Sequence, residues 1–162
     1  RITFEKRQRW TLISIALMLG ADIVVAADDC RFSQLEVKRC IMPTGGATLR
    51  MAERAGLGNA MLHLLTGDEF NSAEAYRLNF VQKVVPAGQE LDAAITIAHN
   101  IAEQAPAAVV ATRLNTLKAV EQGPAAAVAE FIETQRVLAN SEDAAEGIRS
   151  FVERRPARFT GR

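Results

Sequence analysis

Few side chains in this sequence are both of a type that takes part in catalysis and in a position that suggests a catalytic role. The strongest candidate is Glu36, which follows residues 32–35 and precedes an apolar stretch and the Gly45-Gly46 pair. A carboxyl group at the edge of a buried sheet, beside the N-terminus of a helix, is suited to transferring protons. Spacing alone also permits a carboxylate with no catalytic role, so both interpretations stay open at this point.

The histidines and cysteines are not spaced for chemistry. His63 and His99 stand alone, and Cys30 and Cys40 show neither metal-ligand spacing nor a disulfide framework. We therefore predict that each histidine is a packed or surface residue. Both cysteines are predicted to be buried packing residues in a reducing cytosol. The sequence contains no glycine-rich phosphate loop and no nucleophile elbow, and we predict no metal site.

Strands and helices alternate in the part of the chain before Pro86. The run Ala21-Asp-Ile-Val-Val-Ala-Ala has the length and β-branched composition of a core strand, and its apolarity predicts burial on both faces. Ser72 is predicted to be the N-cap of a helix over residues 73–78. The other predicted elements are helices over residues 10–20, 47–54 and 59–65 and strands over residues 31–34 and 80–85.

From Glu90 onward, apolar residues recur at helical spacing, which predicts a layer of helices and no long strand as far as Arg155. The last helix is predicted to begin at Ser141. The predicted apolar faces consist of Leu91, Ile95, Ala98 and Ala102, then Val110, Leu114 and Leu117, then Ile148, Phe151 and Val152. The predicted organisation is an α/β core over residues 1–88 followed by a helical region over residues 89–162.

Composition and charge exclude several classes of protein. Nineteen basic and nineteen acidic side chains give a formal net charge of zero, so we expect no nucleic-acid partner. The uncharged run from Trp10 to Ala21 is too short to span a bilayer, which needs about 20 apolar residues, and we expect no membrane partner. Because Lys6, Arg7 and Arg9 precede this run, a secretory signal peptide remains an alternative interpretation.

Several sequence blocks occur in the order found in a known enzyme family. They are Ala21-Asp-Ile-Val-Val-Ala-Ala-Asp, Arg31-Phe-Ser-Gln-Leu-Glu-Val-Lys, Ile41-Met-Pro-Thr-Gly-Gly-Ala-Thr-Leu-Arg, Leu65-Thr-Gly-Asp, Ser72-Ala-Glu-Ala-Tyr-Arg-Leu, Val84-Val-Pro and the final segment that starts at Ser141-Glu-Asp. Together they resemble the middle and end of the enoyl-CoA hydratase/isomerase, or crotonase, family. The resemblance covers nearly everything after Gly20, and it is specific to the family but not to one reaction within it.

The resemblance implies an α/β fold, a partial crotonase-like spiral of ββα units, followed by a helical C-terminal region that mediates trimer formation. The expected assembly is a homotrimer or hexamer, located in the cytoplasm. Substrates would be acyl-CoA thioesters, with coenzyme A as part of the substrate and no metal or redox cofactor. In this family two backbone N–H groups hold the thioester oxygen and stabilise an enolate, and carboxylates move a proton or water.

The resemblance also implies roles for particular residues. Glu36 matches the second catalytic glutamate of the family. Ile13, Gly45 and Gly46 match oxyanion or pocket positions. On the helical side, Phe151 and Arg154 match substrate-binding positions.

Departures from the family pattern limit the activity that we expect. The first catalytic glutamate of the family aligns with Ala16, and a methyl group cannot act as an acid or a base. The family's glycines at this point align with Leu12, Ile13 and Ser14. Cys40 and Asn79 also stand where the family often has glycine. Weak or absent hydratase activity is therefore predicted, whereas double-bond isomerisation needs only one acid/base.

The N-terminal portion of the family has no counterpart, because residues 1–10 do not resemble it. The sequence begins with Arg1, so we expect a processed or incomplete chain. Three functions remain compatible with the sequence: an acyl-CoA hydratase or isomerase relative, a noncatalytic crotonase-like subunit or inactive fragment, and a small secreted protein.

Overall fold

The computed structural model describes residues 2–5, 9–11 and 13–162, with side chains from Ile15 onward. The chain divides into two compact units, Arg1–Ile97 and Ala98–Arg162. We call them the α/β unit and the helical unit. The boundary between the two units lies inside one helix, and the division between residues 88 and 89 remains a prediction.

The strands of the α/β unit form two three-stranded sheets. One sheet has the order β1-β3-β6 and is parallel throughout, and the other has the order β2-β4-β5, in which β4 and β5 run antiparallel. The strands are β1 (Ile2–Glu5), β2 (Arg9–Thr11), β3 (Ile23–Ala27), β4 (Arg31–Ser33), β5 (Phe70–Asn71) and β6 (Lys83–Val85).

Strand β3 is apolar on both faces because it is the central strand of its sheet and is buried. It pairs with β1 on one side and β6 on the other, and Val24 to Ala27 are buried. Gln82 extends the pairing with β6, because its backbone N–H donates to the Val24 carbonyl and its side-chain Oε1 accepts the Val24 N–H, both at 2.9 Å. The prediction of a core strand here is confirmed.

The first predicted helix begins later than expected. Residues Arg9–Thr11 form β2, which pairs in parallel with β4 so that Trp10 lies opposite Phe32. Helix α1 then spans Ile13–Met18. Pairing with a distant strand overrides the helical pattern of residues 10 and 11.

The other helices of the α/β unit follow the predicted order. They are α2 (Ala47–Ala55), α3 (Leu57–Thr66) and α4 (Ser72–Arg77), with a 3₁₀ helix over Glu36–Arg39. The prediction of Ser72 as an N-cap is wrong. Asn71 caps α4 by accepting the Glu74 N–H, whereas the buried Ser72 hydroxyl donates to the Ala27 carbonyl at 2.5 Å and so ties α4 to β3.

The core of the α/β unit lies between these helices and the sheets. Its largest fully buried apolar side chains are Phe32, Phe80, Ile15, Leu19, Met51 and Leu78. Cys30 is buried there, as predicted. Cys40 is exposed, because it ends the 3₁₀ helix at the surface in the left-handed conformation, so its predicted burial is wrong.

Helices account for the rest of the chain. They are α5 (Glu90–Ala102), which crosses the unit boundary, α6 (Pro106–Gln122), α7 (Pro124–Val128), α8 (Phe131–Ala139) and α9 (Glu142–Glu153). From Glu90 to Arg155 every residue is described and none lies in a strand, which confirms the predicted helical layer. Ser141 caps α9 by accepting the Ala144 N–H at 3.0 Å. Among the described residues, no helix combines the length and apolarity needed to cross a bilayer.

The predicted apolar faces of these helices are not buried within the chain. In α5 the buried residues are Glu90 and Ala94, and Leu91 and Ile95 are exposed. Within residues 98–162, all of which are described, Ala127 is the only buried apolar residue. The helical unit therefore has apolar stripes but no apolar core of its own.

Candidate functional site

Glu36 lies where the chain leaves β4. Leu35, with φ −87° and ψ 0°, turns the backbone out of the extended conformation, and Glu36 starts the 3₁₀ helix. The Glu36 carbonyl accepts the N–H groups of Cys40 and Ile41, so the local backbone is fixed. Its side chain is 6% exposed, and Oε2 has no hydrogen-bond partner among the described residues. A buried carboxylate oxygen of this kind is available to a ligand or to water.

Gln34 adds a second buried polar group just before Glu36. Its side chain is fully buried, and neither amide atom finds a partner in the described part of the chain. The sequence analysis did not single out this residue. One feature of the sequence could have identified Gln34. Side chains alternate along a strand, so a residue two positions after the apolar Phe32 is expected on the same, buried face, and a polar residue there is unusual.

The Gly45-Gly46 pair forms a turn that requires glycine. Their φ values are +68° and +90°, and α2 begins immediately afterwards. The guanidinium of Arg50 folds back over the turn and donates to the Gly45 carbonyl at 3.1 Å. A Cβ atom added to Gly45 would lie 3.1 Å from the Cβ of Ala16, so α1 packs directly against this turn.

Helix α1 carries two further positions that the family resemblance singles out, Ile13 and Ala16. Ile13 is its first residue, so the Ile13 N–H is not needed by the helix, although the Ile13 side chain lies outside the described side chains. Ala16, at the position that the resemblance assigns to the first glutamate, is 5% exposed and faces Gly45. The structure thus brings position 16 and the glycine turn together, with a methyl group where a carboxylate would be required.

Arg54 on α2 holds the end of α1 in place. Its Nη2 donates to the carbonyls of Leu19 and Ala21 at 3.1 and 2.6 Å. Burial lowers the pKa of Arg54, and the nearby Asp22 partly offsets this effect. The bonds to carbonyls that the helix leaves free fix α1 relative to α2.

An apolar groove of about 420 Å³ lies beside the 3₁₀ helix that begins at Glu36. Its volume is in the range of small-ligand sites. The lining residues are Val37, Cys40, Ile41, Met42, Pro43, Thr48, Met61, Leu64 and Leu65. An apolar group of modest size could therefore be accommodated near Glu36.

The two histidines lie as predicted, one packed and one at the surface. The buried His63 ring lies 4.4 Å from the Phe70 ring, with Nε2 3.7 Å from Oε1 of Glu74. The Arg77 guanidinium binds both oxygens of Glu74, and this hydrogen bonding lowers the pKa of Glu74. His99 is exposed. Among the described residues, no cluster of three or more His, Cys, Asp or Glu residues could hold a metal ion.

Phe151 and Arg154 both belong to the helical unit. Phe151 lies on α9 and is 85% exposed. Arg154 ends α9 in the left-handed conformation, with φ +53°. Their substrate-binding roles remain predictions, as do the roles of Glu36, Ile13, Gly45 and Gly46.

Comparison with protein families gives one match that covers most of the chain. The family model for enoyl-CoA hydratase/isomerase matches residues 14–162. The chain belongs to the enoyl-CoA hydratase/isomerase family. The resemblance seen in the sequence blocks is therefore confirmed.

Individual members of the family give the same result. A probable enoyl-CoA hydratase from Mycobacterium bovis is 32% identical over 146 residues, which are 90% of this chain and 57% of that protein. A carnitinyl-CoA dehydratase from Proteus mirabilis is 31% identical over 150 residues, or 58% of its length. The chain thus spans less than three fifths of the curated relatives that it matches.

A solved structure confirms the fold. The crystal structure of a probable enoyl-CoA hydratase/isomerase from Mycobacterium abscessus superposes with a TM-score of 0.92 at 47% sequence identity. The match covers 95% of this chain and 60% of that one. The α/β unit and the helices that follow it therefore have the crotonase fold of the family.

Proposed function

We propose that the protein acts on acyl-CoA thioesters by stabilising an enolate and moving a proton with Glu36. The observation that carries the proposal is the buried Glu36 carboxylate, whose Oε2 has no partner among the described residues. The resemblance assigns catalysis to this position, and the relatives that match the chain include acyl-CoA hydratases and dehydratases by name. Coenzyme A would enter as part of the substrate, and the chemistry needs no metal or redox cofactor.

The proton movements follow from the chemistry of the thioester. In isomerisation, Glu36 takes a proton from the α-carbon, the C–H electron pair moves into the thioester carbonyl, and a backbone N–H such as that of Ile13 stabilises the resulting enolate oxygen. The enolate then collapses, and the proton returns at the γ-carbon as the double bond shifts. One carboxylate can serve both transfers in turn.

Hydration requires a second acid/base group in addition to Glu36. Water must be deprotonated as its oxygen bonds to the β-carbon, while a proton reaches the α-carbon, and the family divides this work between two carboxylates. Ala16 occupies the position of the first carboxylate, buried against Gly45. We therefore propose that this chain hydrates crotonyl thioesters weakly or not at all, and that isomerisation is the activity its residues support better.

The role of Glu36 can be tested in a protein whose N-terminus has been extended to the length of its relatives, which we call the extended form. In that form, Glu36→Gln should reduce turnover by about 10² to 10⁴, the usual contribution of a positioned acid or base. Glu103→Gln, at an exposed glutamate of the helical unit, is the matched control and should leave turnover unchanged. Unchanged turnover in Glu36→Gln would overturn the proposed role of this carboxylate.

A second assay addresses hydration. The 162-residue chain should be compared with the extended form carrying Ala16→Glu, using crotonyl-CoA as substrate. Strong hydration is expected only in the extended Ala16→Glu form. Comparable hydration by both proteins would show that neither the second carboxylate nor the added segment is needed.

Ala16 also favours a second candidate, a noncatalytic crotonase-like subunit. A chain that lacks one of the two carboxylates can retain a thioester site without turnover. Calorimetric titration of the unmodified chain with butyryl-CoA would then show binding, while assays for hydration and isomerisation would both be negative.

We also propose that the helical unit mediates self-association into a homotrimer or hexamer. Val128, Phe131 and Ile132 are 56%, 52% and 86% exposed, which is unusual for large apolar side chains grouped together. Phe131→Ser with Ile132→Ser should shift sedimentation toward monomer, whereas Val120→Ser on α6 serves as an exposed apolar control. A purely monomeric wild-type chain at micromolar concentration would overturn this proposal.

A further inference from the structure

The last residues of the chain run back beside α9 and are held there by carboxylates. We call residues 155–162 the strap. Asp143, in the first turn of α9, is 4% exposed and accepts the N–H groups of Thr160 and Gly161 at 2.7 and 2.8 Å. Its own N–H donates to the carbonyl of Arg162 at 3.0 Å. Asp143 thus makes three hydrogen bonds to the strap.

Glu146 provides a second anchor one turn further along α9. Its Oε1 and Oε2 accept hydrogen bonds from the Arg155 guanidinium at 2.6 and 3.0 Å, and Oε1 also accepts the Arg158 N–H at 2.9 Å. These bonds lower the pKa of Glu146 to about 2, with the Arg155 hydrogen bond as the largest cause. Bidentate pairing with arginine fixes orientation as well as distance.

Two close approaches show which elements the strap joins. A Cβ atom on Gly147 would lie 3.8 Å from the Phe159 ring, so the ring packs across α9. A Cβ atom on Gly161 would lie 3.7 Å from Pro106, the first residue of α6. The strap therefore connects the N-terminal half of α9 with the start of α6.

The rest of the helical unit offers little else to hold α9. Neither α6 nor α8 contains a buried residue, and the only buried residues of α9 are Asp143 and Ser150. In an ordinary domain, burial of large apolar side chains would hold such helices together. Here the hydrogen bonds at Asp143 and Glu146 tie α9 to the strap.

We propose that the strap is a conformational lock, which fixes α9 to the start of α6 and whose release frees α9 while the α/β unit stays folded. The lock depends on backbone N–H groups of the strap and not on its side chains alone. Phe151 lies on α9, and Arg154 is its C-cap. The lock therefore also sets the orientation of these two residues, to which the family resemblance assigns substrate binding. This last consequence rests on the proposed function, whereas the lock itself does not.

The experiment removes one anchoring amide from the full chain. Thr160→Pro deletes the N–H that binds Asp143, and Ala157→Pro introduces the same residue at a strap position that is not one of these anchors. Hydrogen exchange followed by mass spectrometry then compares α9 with β3. We expect at least a tenfold faster exchange of the α9 amides in Thr160→Pro, with exchange in β3 unchanged and Ala157→Pro close to wild type.

Asp143→Asn provides an independent variant, because its uncharged side chain has a single acceptor oxygen in place of two. It should also accelerate exchange in α9 alone. Unchanged exchange in both variants would overturn the lock. Faster exchange in α9 and β3 together would also overturn it, because the strap would then contribute to global stability. Neither readout requires catalysis, so the proposed function can fail without affecting this test.

Discussion

The α/β unit and the helical unit are stabilised in different ways. The first buries aromatic and aliphatic side chains such as Phe32, Phe80 and Leu19 around two sheets. In the second, all of whose residues are described, Ala127 is the only buried apolar residue, and carboxylates bind the strap. The difference shows that one family fold can combine a conventional hydrophobic core with a region whose large apolar side chains are exposed within the chain.

The largest effect that we expect comes from a matched pair of phenylalanine truncations. Phe32 is fully buried, and its ring stacks on Phe70 with 5.5 Å between centroids, whereas Phe151 is 85% exposed. Phe32→Ala should reduce the free energy of unfolding by about 3–5 kcal/mol. Phe151→Ala should change it by less than about 0.5 kcal/mol, as is usual for exposed positions.

Urea denaturation followed by circular dichroism measures both values. Equal losses for the two variants would contradict the comparison, because they would show that Phe151 is as well packed as Phe32. If the chain self-associates, the Phe151→Ala measurement should be repeated over a range of concentrations, since only a contact between chains depends on concentration.

A second pair compares glycines in the two units. Gly67 has φ +63°, and a Cβ atom there would lie 2.9 Å from the Gln34 carbonyl oxygen, a backbone atom. Gly123, with φ +90°, has no atom within 4 Å of such a Cβ. Gly67, with ψ 22°, lies in the left-handed region, where an alanine costs about 1–2 kcal/mol, and the Gln34 backbone must also shift, so Gly67→Ala should lose about 2–3 kcal/mol. Gly123, with ψ 159°, lies in a region that essentially only glycine occupies, so Gly123→Ala should lose about 1–3 kcal/mol from backbone strain alone.

Thermal unfolding of the two glycine variants gives the comparison directly. A loss of less than about 2 kcal/mol in Gly67→Ala would show that the close approach at Gln34 has no energetic consequence beyond the left-handed strain. In the extended form, Gly67→Ala should also reduce turnover, because Gln34 lies two residues before Glu36.

The strap should respond to acid in a range set by Glu146. Its pKa is lowered from 4.5 to about 2, mainly by the hydrogen bond from Arg155. A lowered pKa means that the folded state favours the charged carboxylate. The stabilisation is therefore complete above about pH 4.5 and is lost as the pH falls toward 2. In the α/β unit the Arg77 hydrogen bonds lower the pKa of Glu74 as well, so that ion pair should also weaken as the pH falls.

Carbon-detected NMR of the Glu146 carboxyl group measures this titration. Arg155→Met should return the midpoint toward 4.5, because the largest cause of the lowered pKa is removed. A wild-type midpoint near 4.5 would contradict the observed pairing of Glu146 with Arg155.

The smallest expected effect concerns residues other than glycine with positive φ. Cys40 and Asn79 have φ values of +57° and +60° and lie in the α/β unit. Cys40→Gly should increase the free energy of unfolding by about 0.5–1 kcal/mol, because glycine adopts this conformation without strain. Asn79→Gly should change it less, since asparagine tolerates the left-handed region. A loss of stability in Cys40→Gly would indicate that its side chain contributes packing not evident from its exposure.

The predictable part of the fold depended on local signals. The run around Val24 and the Ser141 cap each indicate an element from neighbouring residues alone, and both elements are present. Residues 10 and 11 were assigned to a helix, whereas they belong to a strand that exists only through pairing with β4, more than 20 positions away. Val110 and Leu114 recur at helical spacing on α6, but both are exposed, because the spacing of apolar residues does not specify what covers them.

The candidate site was predictable only in part for a similar reason. Glu36 and the Gly45-Gly46 turn were proposed from their spacing and from the family resemblance, and their roles remain predictions. The contact between Ala16 and Gly45 joins two separate elements, so no local pattern reveals it. The strap was not predictable, because Asp143 binds backbone N–H groups, which every residue except proline provides.

The pairing of β3 with the segment before β6 has a consequence for biosynthesis. Val24 and Gln82, which bond to each other through two hydrogen bonds, lie 58 positions apart. At about 5–20 residues per second, the ribosome completes β3 about 3–12 s before it delivers Gln82. During that interval an apolar strand with an open edge is exposed on the nascent chain, which makes β3 a target for chaperones that bind extended apolar segments.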